Sequence, residues 1–212
     1  MTKRQTRGEA REELVLKAVT ELIAERGLAN IRFSDVAERA NMSPGHVTYY
    51  FPSKTELLMR AIRQSEETFT DQLELEIQAI EDPWERLSRL TELSAAKGPR
   101  DPGWVLWFEV WSNAALDPDV AKVHEELDAR SRGILADVIR YGRDQGAFTT
   151  DDPDTAAGLI AAAIDGLSIQ LTLGAPHLDR AEVLRLCSIA AQAHLGKQPD
   201  AAAVPAKRRR AR

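Results

Sequence analysis

Four Asp-Pro dipeptides, Asp82-Pro83, Asp101-Pro102, Asp117-Pro118 and Asp152-Pro153, punctuate this 212-residue chain. Each one spells a helix start. An aspartate at the N-cap accepts bonds from backbone N–H groups that lack an intrahelical partner. A proline at the first helical position lacks an N–H that would be unsatisfied there anyway. Between these marks apolar residues recur at helical spacing, and no stretch alternates as a strand would. The chain therefore reads as all-α, with about nine helices. The spacing predicts later helices over 83–96, 102–115, 118–145, 153–173 and 178–195.

The first third is denser in punctuation. A helix is predicted over 9–26, with Val15, Ala18, Val19, Leu22 and Ile23 on one face and Gly27 as its stop. Ser34 can cap a short helix over 35–40. Asn41-Met42 makes a tight turn, and Ser43 caps a third helix that opens on Pro44. Ser53-Lys54-Thr55-Glu56 matches a capping box, so a long fourth helix starts there. Three domains are expected: a three-helix head with a helix-turn-helix over 1–55, a larger helical effector-binding and dimerisation body over 56–196, and a disordered basic tail over 197–212.

Two short helices joined by a tight turn form a helix-turn-helix, whose second helix enters the DNA major groove N-terminus first. Here that end reads Ser43-Pro44-Gly45-His46-Val47-Thr48-Tyr49-Tyr50. Pro44 and Gly45 carry no bulky side chain, so the backbone can approach base edges. Thr48 offers a hydroxyl and a methyl to them. Ser43, His46, Tyr49, Tyr50 and Lys54 complete the expected contact set, with hydroxyls and the Lys54 charge suited to phosphate. Val47 and Phe51, four apart, are read as anchors in the small core.

Net charge is −5, which alone argues against a polyanionic partner, but its distribution argues for one. Residues 1–63 hold 11 Lys/Arg against 8 Asp/Glu, a net of +3. Residues 64–196 hold 11 against 24, a net of −13, and residues 197–212 hold 6 against 1, a net of +5. Only the head, with or without the tail, is expected to meet double-stranded DNA.

Residues of about 10–58 resemble the N-terminal domain of the TetR family of transcription repressors. The resemblance rests on Ser34-Asp35-Val36-Ala37, Met42-Ser43-Pro44-Gly45, the aromatic run Tyr49-Tyr50-Phe51, and Ser53-Lys54-Thr55-Glu56-Leu57-Leu58. It implies that Lys54 touches phosphate. Thr48 stands where many members have tyrosine. Trp107, Trp111, the 113–118 segment and Ile164-Asp165-Gly166-Leu167 resemble the C-terminal domain of the choline-responsive betaine-synthesis repressors within that family.

In the body, Trp104, Trp107, Phe108 and Trp111 cover about 100° of one helix face. Core packing accounts for such a cluster as well as a ligand-pocket wall does, and one face can serve both. Glu109 points away from that face. Past the first turn of its helix, Asp165 is the one charge inside an otherwise apolar or small run. It can bond to backbone, pair across a dimer interface, or counter a cationic ligand. Together with the acidic body, the resemblance points to a cationic effector such as a quaternary ammonium compound. The homodimer is expected to form through Ala157, Ile160, Ala161, Ile164, Leu167 and Leu171 on one helix and Val183, Leu186 and Ala190 on the last, as the resemblance also implies.

The four histidines show no metal-ligand spacing, and no nucleophile motif or phosphate loop is present, so neither metal, cofactor nor enzyme activity is expected. Cys187, the single cysteine, sits on an apolar pattern as a small buried hydrophobe. With no apolar leader following the charged start, it fits a reducing cytoplasm. No apolar run is long enough to predict a membrane span. The sequence thus describes a dimeric, ligand-responsive DNA-binding repressor. The competing description is an all-helical small-molecule enzyme or carrier with an aromatic pocket, which would have no need of the 43–54 constellation.

Overall fold

The computed structural model describes residues 7–196; the tail expected over 197–212 lies outside the described residues. Among the described residues there are nine α-helices, one 3₁₀ turn and no strand. The helices are α1 (Arg7–Arg26), α2 (Phe33–Arg39), α3 (Pro44–Tyr50), α4 (Lys54–Gln78), α5 (Pro83–Ser94), α6 (Pro102–Ala114), α7 (Pro118–Asp144), α8 (Pro153–Thr172) and α9 (Arg180–Leu195), and the 3₁₀ turn is Leu28–Asn30.

Every Asp-Pro pair opens a helix in the expected way. Asp82 accepts from the Glu85 N–H at 2.8 Å, Asp101 from Gly103 at 2.9 Å, Asp117 from Asp119 at 3.0 Å and Asp152 from Thr155 at 3.0 Å. Ser53 accepts from Glu56 at 3.0 Å. The start of α2 differs from the expectation. The helix begins one residue before Ser34, because the Asp35 carboxylate reaches back to the Arg32 N–H at 2.9 Å and closes the turn from inside. Asn41 takes the left-handed conformation (φ 55°), which lets the chain reverse between α2 and α3.

The head is built on α1, whose Val15, Val19, Leu22 and Ile23 meet Val36, Val47, Phe51 and Leu58. Phe51 has no exposed surface, and truncating it to alanine would cost about 3–5 kcal/mol. This core does not stop at the head. Leu106 and Val110 of α6 and Val120, Val123 and Leu127 of α7 belong to it, so head and body share packing. The second core, from the C-terminal part of α4 through α5, α7, α8 and α9, includes Trp84, set edge-on to Phe148 at 4.8 Å.

The helix α8 is apolar on both sides. By length and composition it could cross a membrane, but here it packs between α7 and α9. Its Ala157, Ile160, Ile164 and Leu171 are buried in the chain's own core, as is Val183 of α9. These five positions of the expected interface are therefore already occupied, while Ala161, Leu167, Leu186 and Ala190 are half-buried. The large apolar groups left outward here are Leu159 on α8, Leu173 just past its end and Ile189 on α9.

Candidate DNA-binding and effector sites

The DNA-binding candidates form an outward surface. Ser43, Pro44, Gly45, His46, Thr48 and Tyr49 are all exposed, Tyr49 at 81%. Beneath them Val47 is fully buried and fixes the rotation of α3. Ser43 Oγ accepts from the His46 N–H and also meets His46 Nδ1 at 2.9 Å. The Thr48 hydroxyl donates to the Pro44 carbonyl at 3.2 Å, which leaves its lone pairs and methyl facing outward. Tyr50 is half-buried and stands edge-on to Tyr49. A Cβ added at Gly45 would meet nothing within 4 Å, so the fold itself does not need glycine there.

Lys54 stands slightly apart. Its ammonium donates to the carbonyls of Ala29 at 3.2 Å and Leu28 at 3.4 Å, tying the start of α4 to the 3₁₀ turn. An ammonium has three donors, so one remains for an oxygen outside the chain.

The body holds a partly open cavity of about 360 Å³ between α4, α5, α6, α7 and α8. Trp104, Trp107 and Trp111 form one wall. Trp107 and Trp111 are stacked with centroids 5.9 Å apart and planes 29° apart, and Trp104 lies 6.1 Å from Trp111. Both stacked indoles have their N–H groups tied off: Trp107 Nε1 donates to Glu66 Oε1 at 3.0 Å, and Trp111 Nε1 to His124 Nε2 at 3.1 Å. With both N–H groups held by protein, these two indoles have no free donor to offer a ligand in the cavity. Phe108 does not line the cavity; its ring packs on Trp111 at 5.9 Å.

Asp165 reaches this cavity from α8, together with Glu66 from α4 and Asp128 from α7. Burial pushes the Asp165 carboxyl up to about 6, and the neighbouring Asp128 adds to the rise while Arg132 opposes it. Burial also raises Glu66, against the hydrogen bond from Trp107 and the charge of Arg130. Asp128 is held by an ion pair with Arg132. Asp165 has neither a hydrogen bond nor an ion pair among the described residues, and the more distant Arg132 charge is what favours its ionised form. Sequence reasoning brought Asp165 and the three tryptophans together but missed Glu66, Phe69, His124 and Asp128. These lie on other helices, with no local pattern to mark them. No group of acids, histidines and cysteine suited to a metal occurs among the described residues.

Comparison with known proteins matches both halves of this arrangement. Residues 15–61 match the model of bacterial regulatory proteins of the tetR family, and residues 83–196 that of the C-terminal domain of BetI-type transcriptional repressors. The chain belongs to the TetR family. A regulator of this family named BetI, from Rhizobium meliloti, is 27% identical over 90% of this chain and 92% of its own. A solved regulator from Saccharomonospora viridis, in complex with choline, is 31% identical, with a TM-score of 0.81 over 89% of this chain and 98% of that one. The transcriptional regulator FadR of Bacillus subtilis, in complex with stearoyl-CoA, shares the fold at 19% identity and a TM-score of 0.72. As a TetR-family protein, the chain is a DNA-binding transcription regulator, with the exposed α3 surface in the head and a partly open cavity in the body.

Proposed function

We propose that this TetR-family regulator is a cytoplasmic homodimeric repressor released from its operator by a small quaternary ammonium compound of the choline class. The observation that carries the reading is the cavity wall. Three tryptophans line it together with a carboxylate, Asp165, that has no hydrogen bond or ion pair among the described residues. A quaternary ammonium cannot donate a hydrogen bond. It is recognised by aromatic faces, each worth about 0.5–2 kcal/mol, and by an opposed charge in a low-dielectric site. The choline complex of the Saccharomonospora viridis regulator supports the ligand class. The FadR complex with stearoyl-CoA shows why fold alone does not choose it.

Two copies would pair through the outward side of α8 and α9, where Leu159, Leu173 and Ile189 are exposed around Ala162. Pairing along this stripe covers the apolar surface that each chain leaves open, and it sets two α3 surfaces side by side for successive major grooves. The test is footprinting of DNA upstream of the gene, with and without choline. A protected near-palindrome that choline releases is the expected result. Protection that only neutral apolar compounds release would overturn the cation reading.

A further inference from the structure

One contact joins the helix that carries the cage to the head that carries the DNA surface. Glu109 leaves α6 on the side away from Trp107, and its Oε1 accepts the backbone N–H of Leu28 at 2.9 Å, across 81 residues of sequence. That N–H opens the 3₁₀ turn and has no helical partner of its own. The preceding residue, Gly27, holds φ at +74°, and a Cβ there would sit 3.0 Å from Glu109 Oε1. The close approach therefore uses glycine twice, for its conformation and for its missing side chain. On its other side the same turn is held by Lys54, whose ammonium reaches the Leu28 and Ala29 carbonyls. Leu28 itself is buried in the head core.

The geometry points to Glu109 as the positioning residue that couples the effector cage to the DNA-binding head, through the Leu28 turn and Lys54. This rests on the reading of the cavity as an effector site and of Lys54 as a phosphate contact. The helix α6 is a single run of 13 residues. It carries cage tryptophans on one side and Glu109 on the other, so a shift that seats a ligand against Trp107 also displaces the Glu109 carboxylate. The carboxylate holds the turn by a hydrogen bond assisted by charge, and the turn holds the ammonium next to α3. A second path exists along α4, which runs from Lys54 to the cavity residue Glu66. A third is the packing of Leu106 and Val110 of α6 in the head core, and only the first path depends on the Glu109 carboxylate.

The experiment compares the wild type, Glu109→Ala and Glu109→Gln, the last of which keeps an acceptor oxygen. Three quantities are read: choline binding by tryptophan fluorescence, operator affinity without choline, and the ratio of operator affinities without and with it. In the wild type that ratio should lie roughly in the 5- to 150-fold range usual for coupled sites. Glu109→Ala should bring it close to one while choline still binds, and Glu109→Gln should restore most of it. A merely structural role would lower stability or operator affinity and leave the ratio in place. An Ala variant with the wild-type ratio would overturn the proposal and leave coupling to α4 or to the packing of Leu106 and Val110 in the head core. Linkage gives a readout that needs no effector. Operator binding should alter the emission of the cage tryptophans in the wild type and in Glu109→Gln, but not in Glu109→Ala. If choline fails to bind the wild type, the effector reading falls, and this second readout still decides the role of Glu109.

Discussion

The head and the body of this regulator solve opposite recognition problems with opposite surfaces. The head turns its functional groups outward: Ser43, His46, Thr48 and Tyr49 stand exposed on a helix whose only buried member is Val47. A polyanion of fixed shape can be met by such a surface, because positioning comes from many phosphate contacts at once. The body turns its groups inward. Trp107 and Trp111 spend their N–H donors on Glu66 and His124, and Asp165 has no hydrogen bond or ion pair among the described residues in a place where a charge is costly. The proposed small cation would offer few contacts, so each would gain from exclusion of water. It follows that the head's site can be altered with little cost to the fold, whereas the body's site is part of the packing.

The largest effect should come from separating the two copies. Ala162 is exposed on the outward side of α8, and Ala162→Arg should give monomers with the secondary structure of the parent. Losing the second head removes a tethered binding event, so operator affinity should fall roughly 100-fold or more. Sedimentation as a dimer would move the interface off this stripe. Next in size, Trp107→Leu keeps an apolar contact but loses the π face and the bond to Glu66. Choline affinity, measured by calorimetry, should fall roughly 2- to 30-fold. An unchanged affinity would make this wall ordinary packing.

A smaller effect is expected with pH. Asp165 is charged only above about 6, so its attraction for a cation is lost as pH falls through that value. Choline should bind severalfold more weakly near pH 5 than at neutral pH, and Asp165→Asn should flatten the profile. Stability runs the other way. The carboxyl is raised on folding from 3.8 to about 6, so its favourable contribution is complete below 3.8 and is lost as pH climbs through about 6. Asp165→Asn should therefore melt higher than the ligand-free parent at alkaline pH. A lower melting point would mean that the carboxylate is structurally satisfied.

The smallest change tests the head. Since nothing lies within 4 Å of a Cβ at Gly45, Gly45→Ala should leave the fold intact and stabilise it by about 0.5–1 kcal/mol. Operator affinity should nevertheless drop a few-fold, because the added methyl stands where the backbone approaches DNA. Equal operator affinity would place α3 farther from the groove.

The two regions also differ in how far they could be read in advance. Helix starts depend on neighbours within three residues, so Asp82, Asp101, Asp117 and Asp152 cap as their sequence says. The 43–54 surface is equally local. The cavity is not: Glu66 and His124 meet Trp107 and Trp111 across 41 and 13 residues. The bond from Glu109 to Leu28 is hidden for the same reason; periodicity removes Glu109 from the aromatic face without saying what it reaches. On α8 periodicity failed differently. A helix apolar on both sides offers two stripes, and the one containing Ile160 and Ile164 fills the chain's own core.

The most direct test of the cage uses a matched pair of ligands: choline, and its isostere in which a quaternary carbon replaces the nitrogen. The two share shape, volume and the hydroxyl tail, and differ in charge alone. Each is titrated into the protein bound to fluorescently labelled operator, with tryptophan emission and DNA anisotropy followed together. The indole faces and Asp165 predict that choline changes both signals at concentrations where the neutral isostere changes neither. Equal potency of the two ligands would contradict the account, because the wall would then be recognising shape and apolar surface with no regard for charge.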